Sequence, residues 1–219
     1  RRDKAHQILL WRADLAAVVP LLALTEQSAN PLARLHALCV LDGLGELPPA
    51  AVARALRDAT PGVRENALRL AETRFTPAVL AAAVRLADDQ DAKVRMQLAL
   101  SLGATKDAVA GETLGRLLTT GANEPMLVAA VMSSATPHLR ALAAAVDRQP
   151  SNVLVEPLLT IALGLNDREA LGSLLAPTFT PQGGRYTSAQ LALFVRLLDQ
   201  LAQLGRTLEQ LRTAPTNDA

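Results

Sequence analysis

His36 and Cys39 stand three residues apart. On a helix that spacing puts both on one face and offers an imidazole and a thiolate to a metal ion. A closed zinc site needs four ligands, and the other histidines, His6 and His138, lie in other stretches of the sequence. The competing reading is a packed cysteine beside a histidine at a polar edge. Arginines recur as well, at Arg34, Arg64 and Arg95. A row of guanidinium groups can hold phosphates. Each of these arginines also follows an acidic or polar turn, so Asp58 with Arg64, and Asp89 or Asp91 with Arg95, can instead form a ladder that ties turns to helices of the same or the next repeat. The spacing favours the ladder. Gln182-Gly183-Gly184-Arg185-Tyr186 is glycine-rich and basic. It lacks the Lys-Ser/Thr and helix of a phosphate loop, and reads as a flexible loop available to a partner domain. Asp88, Asp89 and Asp91 make a turn without EF-hand spacing, and no nucleophile motif surrounds any serine.

The elements that position these residues follow a period. Asp58-Ala-Thr-Pro-Gly-Val63-Arg64 and Asp89-Gln-Asp-Ala-Lys-Val94-Arg95 are one phrase written twice, 31 positions apart. Arg2 to Arg34 is 32 positions, Arg34 to Arg64 is 30, and Arg64 to Arg95 is 31. A turn, then Val-Arg, then an apolar helix is the second half of a helical hairpin. A fixed period of that length means a solenoid, because one hairpin cannot bury its own apolar face. Helices are predicted over about 15–27, 31–44, 49–58, 61–73, 77–88 and 92–102, many opened by a proline at the first helical position. Pro20 marks a kink or a late start. Residues 1–12 read as a second helix whose first helix is missing, in a chain cut from a longer protein. Past Gly103 the repeat decays, with Leu127 where an arginine is expected. The predicted organisation is a repeat array over 1–176, an irregular loop over 177–187, a helix over 188–212 that continues the array, and a disordered tail over 213–219.

Composition narrows the function. Half of the 219 residues are hydrophobic but only 2% are aromatic, and the net charge is +1, from 22 basic and 21 acidic residues. Alanine and leucine favour helix and close helix approach. The charge balance and the scarcity of stacking aromatics argue against a nucleic-acid binder. Cys39 is the only cysteine, so no disulfide forms within the chain. No transmembrane segment is expected, since every long apolar run is broken by a charge, a proline or a polar residue.

Over Pro31–Gly103 the chain resembles HEAT-repeat arrays, in a compact version of their usual length. Three phrases carry a closer likeness: Arg2-Asp-Lys-Ala-His-Gln-Ile-Leu-Leu10, Pro31-Leu-Ala-Arg-Leu-His-Ala-Leu38 with Leu41-Asp-Gly-Leu-Gly45, and Val94-Arg-Met-Gln-Leu-Ala-Leu-Ser-Leu-Gly103. They look like the HEAT segment of the planctomycete and verrucomicrobial haem-binding proteins, also described as membrane-bound dehydrogenases. Leu204-Gly-Arg-Thr-Leu208 is similar to a later array of that family. The resemblance implies a sugar-dehydrogenase-like propeller before the array, a c-type haem module with a CxxCH motif after it, and a periplasmic or membrane-associated setting. A single cysteine cannot make CxxCH, so no residue here carries that chemistry. The family tends to have an aromatic residue where Cys39 stands, so no role passes to this thiol.

The expected fold is therefore an all-α, HEAT-like α-solenoid of about six helical hairpins. The expected function is a non-catalytic scaffold or protein-interaction module that orients domains of a larger exported redox protein, with protein domains in cis or in trans as partners. No cofactor, metal or nucleic acid is expected on this chain. The alternatives are a HEAT-like nucleic-acid binder and a regulatory or chaperone-lyase HEAT subunit. The structural ladder is assigned to Arg34, Asp58, Arg64, Asp89, Asp91 and Arg95, and partner contact to Gly183, Gly184, Arg185 and Tyr186.

Overall fold

The computed structural model describes residues 2–148, 152–181 and 183–213. The predicted disordered tail lies, apart from Thr213, outside the described residues. Among those described there is no β-strand. The fold class is an all-α solenoid, and its helices divide into two compact units, residues 1–105 and 106–219.

Unit 1 holds α1 (Arg2–Arg12), α2 (Val18–Gln27), α3 (Pro31–Gly43), α4 (Pro49–Ala55), α5 (Pro61–Ala71), α6 (Pro77–Ala83) and α7 (Ala92–Leu102). The helices fall in two rows. α1, α3, α5 and α7 stack in one, and α2, α4 and α6 in the other. α2–α3 and α4–α5 are hairpins, and α6 is followed by a 3-10 stretch over Val84–Asp88 that packs on both α6 and α7. Local chemistry sets their starts. Pro31, Pro49, Pro61 and Pro77 open four of the helices, where the missing N–H would be unbonded in any case. Asn30 accepts from the backbone of Leu32 at 3.0 Å, and Asp91 caps α7 by accepting from Lys93 at 2.8 Å. Pro20 falls near the start of α2, after a 3-10 turn over Leu15–Ala17, so the late start predicted as one alternative is the one adopted. Two helices are shorter than predicted. α4 stops at Ala55, and the stretch after α6 tightens into a 3-10 helix over Val84–Asp88.

The register of the sequence is the register of burial. Ala37, Leu38 and Leu41 in α3, Ala67, Leu68 and Ala71 in α5, and Leu98, Ala99 and Leu102 in α7 are each at most 1% exposed. They occupy the same three positions relative to Arg34, Arg64 and Arg95.

Unit 2 holds α8 (Ala108–Thr120), α9 (Pro125–Ser133), α10 (Leu139–Arg148), α11 (Asn152–Leu165), α12 (Arg168–Phe179), α13 (Ser188–Gln203) and α14 (Leu208–Thr213). Its hairpins are α8–α9, α10–α11 and α12–α13, and here α8, α10 and α12 make the tightly stacked row. Glycine makes that closeness possible. A Cβ on Gly115 would lie 2.8 Å from Ala145 Cβ, and one on Gly111 would lie 3.0 Å from Ala141 Cβ. The predicted irregular loop is shorter at its start, because α12 continues through Pro177 to Phe179. A proline in the last turn deprives the helix of one hydrogen bond. Gln190 of α13 satisfies carbonyls at the end of the helix, donating from its side-chain amide to that of Pro177 at 2.7 Å and that of Thr180 at 2.8 Å.

Candidate functional site

The arginine row is an inter-repeat brace. Arg34 donates from Nε and Nη2 to the two carboxylate oxygens of Asp58, 2.7 Å each, and from Nη1 to the Ser28 carbonyl at 2.7 Å. Arg64 repeats the pattern one period on. It reaches both oxygens of Asp89 at 2.7 Å, and the carbonyl of Asp58 at 2.8 Å. Arg95 donates to the Asp89 carbonyl at 2.9 Å. Each arginine thus holds the turn before its own helix through a backbone carbonyl. Arg34 and Arg64 also clamp the turn of the following repeat through a two-pronged carboxylate contact, the geometry that suits a planar guanidinium. The expected pairing of the Asp58 side chain with Arg64 is corrected: that carboxylate belongs to Arg34, and Arg64 takes Asp89. A side chain of this length passes its own turn and meets the next one. Asp91 makes no ladder contact of this kind and acts as the cap of α7.

The aspartates do a second job. Asp58 accepts from the Thr60 N–H at 2.8 Å, and Asp89 from the Asp91 N–H at 2.9 Å, closing the turn that each begins. Burial alone would raise both carboxyl pKa values. Hydrogen bonds from the arginine and the turn N–H, together with the arginine charge, outweigh that and hold both below the usual carboxylate range. The pairs are well covered. Arg34 and Asp58 side chains are 14% and 10% exposed, Arg64 and Asp89 14% and 5%.

Unit 2 contains a related brace that the sequence reading missed. Arg140 of α10 donates to Asp167 at 2.9 Å and to Glu169 at 2.6 Å, and Asp167 caps α12 by accepting from the Ala170 N–H at 3.0 Å. Arginine and acid are 27 positions apart here, against 24 for Arg34–Asp58 and 25 for Arg64–Asp89. That spacing was the available signal. It was hidden because the arginine sits on the first helix of its hairpin, while the expected position on α9 holds the buried Leu127. Also missed was a polar network in unit 1, which runs from exposed Arg69 and Glu72 inward to buried Gln97 and Ser101. Arg69 donates to Gln97, Gln97 to Ser101, and Ser101 to Glu72, at 2.9, 3.0 and 2.8 Å.

His36 meets an unexpected neighbour. Its Nδ1 lies 3.3 Å from Nδ1 of His6, with the rings edge to face, and its Nε2 lies 3.7 Å from Asp3. Cys39 is half-buried, and burial followed by the charge of Asp42 pushes its thiol pKa up, which disfavours the thiolate a metal would need. Among the described residues no three His, Cys, Asp or Glu side chains converge on a metal position, and no helix is long and apolar enough to cross a membrane. Gly183, Gly184, Arg185 and Tyr186 are all exposed. The two glycines take φ of +59° and +78°, which glycine adopts without a Cβ penalty. Tyr186 hydroxyl makes a long 3.4 Å contact to the Phe179 carbonyl.

A family model described as HEAT repeats matches residues 48–135, less than half of the chain. No curated protein and no solved structure matches. HEAT repeats build helical scaffolds and interaction modules, and their fold is typically non-catalytic. The match does not extend to the haem-binding dehydrogenase family. Residues 48–135 are thus similar to HEAT repeats, within a chain whose fold is an all-α solenoid.

Proposed function

We propose that the chain is a non-catalytic scaffold and protein-interaction module that spaces and orients domains of a larger exported redox protein of the dehydrogenase and c-type cytochrome kind. The observation that carries the scaffold reading is the brace. Arg34 and Arg64, which could otherwise grip an anion, are paired with Asp58 and Asp89 and with turn carbonyls. Their geometry favours stiffness between repeats over chemistry. The exposed loop Gly183, Gly184, Arg185 and Tyr186 is the proposed contact surface, with a protein domain as its partner. Haem c belongs to a neighbouring module in this reading, and the setting is periplasmic or membrane-associated. The redox context rests on the likeness of the three phrases before residue 105.

Two measurements test it. The reading frame around this segment should encode a propeller upstream and a CxxCH module downstream, and a frame with neither overturns the redox context. A fluorescence-anisotropy titration with single- and double-stranded DNA at physiological salt should show only weak, salt-sensitive binding. Sub-micromolar affinity would replace the scaffold reading with the nucleic-acid one.

A further inference from the structure

α1 and α3 meet through two imidazoles. His6 stands four residues after Arg2, and His36 two residues after Arg34. In the later repeats the equivalent positions hold Leu38 and Asn66, then Leu68 and Gln97. Leu38 and Leu68 are at most 1% exposed, so His6 stands where the repeat otherwise uses leucine for packing. Its Nδ1 faces Nδ1 of His36 at 3.3 Å, with the ring planes 85° apart. Two metal–nitrogen bonds of about 2.0–2.1 Å that meet at a tetrahedral angle hold their nitrogens about 3.3–3.4 Å apart. On the far side of the His36 ring, Nε2 lies 3.7 Å from an oxygen of Asp3. A carboxylate there draws the ring proton to Nε2 and leaves the Nδ1 lone pair free for a metal, as the outer carboxylate does behind many metal-bound histidines. Both rings are half-buried, and the His36 side chain is 32% exposed. A hydrated ion can therefore reach the pair and keep water on its other positions.

We propose that His6 and His36 are the two protein ligands of an open site for a divalent cation of the zinc, copper and nickel class, the ions that imidazole suits. The ion sits to one side of the line between the two Nδ1 atoms, after a small pivot of each ring, and water completes its shell. Without the ion, His6 Nδ1–H donates to His36 Nδ1. With it, that proton passes through solvent to His6 Nε2, so both Nδ1 lone pairs face the ion. Asp3 is a positioning residue, acting through the His36 ring. The bound ion pins α1 to α3 across two repeats. The site stands apart from the scaffold reading, which neither requires it nor fails with it.

Zinc chloride titrated by calorimetry into the untagged full chain at neutral pH tests the site. One zinc ion per chain is expected. His6→Gln and His36→Gln keep a polar side chain and should each weaken binding at least about tenfold. Asp3→Asn should weaken it about tenfold, as loss of an outer carboxylate does. Asp3 is exposed, so this variant keeps the fold and gives a result that does not depend on the glutamine variants. Cys39→Ser should leave the affinity unchanged. Zinc should also slow hydrogen exchange of the α1 amides, and EDTA should reverse the effect. Zinc binding no tighter than about 1 mM reduces the pair to a hydrogen bond between helices and overturns the proposal. So does affinity that survives in either glutamine variant or is unchanged in Asp3→Asn. Affinity lost in Cys39→Ser overturns it in favour of a His36–Cys39 site. Half a zinc per chain with dimerisation in sedimentation overturns it by placing the ion between two copies.

Discussion

The two units solve one problem by different physics. A repeat array must fix the spacing between successive hairpins as well as the contacts within each. Unit 1 does so with charge: Arg34–Asp58 and Arg64–Asp89 bind α3 and α5 to the turn of the repeat that follows. Unit 2 does so with shape: Gly111 and Gly115 let α8 and α10 approach until Ala141 and Ala145 fill the space where a Cβ would be. Its own arginine brace is half-exposed at Arg140, where solvent weakens an ion pair. A brace can be strong only where its turn is shielded, and close packing replaces it where the helices themselves are small-sided.

The sharpest test of this contrast is Arg64→Ala. Removing the guanidinium strands a carboxylate that is 5% exposed, at a cost of about 2–4 kcal/mol. Asp89→Ala should cost a similar amount, and the double variant less than the sum. Urea unfolding followed by hydrogen exchange in α5 and α7 gives the value, and an unchanged Arg64→Ala protein would remove the ladder from the account of unit 1. Next in size is Gly115→Val. The added side chain starts 2.8 Å from another residue's Cβ, and overpacking of this kind costs about 1–3 kcal/mol. The loss should be felt in α8 and α10 exchange while the Arg64 helix keeps its protection.

Acid should separate the units further. Asp58 and Asp89 have folded-state pKa values held below the unfolded value, which for aspartate is about 3.9. Their contribution is therefore fully present above that pH and is lost as pH falls through the lower folded value. Melts recorded from pH 7 down to about pH 2 should show an acid-dependent loss in unit 1 that Asp58→Asn with Asp89→Asn flattens. Asp167 is lowered in the same way, but its partner is exposed, so Asp167→Asn should change the acid slope less. The smallest effect belongs to Arg140→Ala, about 0–1 kcal/mol for an exposed pair. A loss as large as that of Arg64→Ala would erase the distinction between the two braces.

How legible each unit was in the sequence follows from the same contrast. The ladder of unit 1 was readable because charge at a fixed period is rare and leaves a mark: Arg34, Arg64 and Arg95 announce both the hairpins and their register. Its pairing was read one turn too early, because sequence spacing does not say how far a guanidinium extends along the stack. Unit 2 was read as decay after Gly103. Its spacing device is glycine against alanine, and in an alanine-rich chain Gly111, Gly115, Ala141 and Ala145 carry no signal that stands above composition. The His6–His36 contact was missed because it joins two repeats, and linear spacing of 30 becomes proximity only once the period is folded.

Asp58 and Asp89 each close a turn of their own repeat with the same carboxylate that receives the arginine of the repeat before. One charged group therefore belongs to two hairpins at once. In a chain of nearest-neighbour units that shared group is the coupling constant: a hairpin whose turn opens also releases its predecessor, and a hairpin that forms presents a ready-made anchor to it. Strong coupling of this kind turns a row of separately marginal hairpins into a segment that opens together, and weakening it at one joint should let the array fray from that joint.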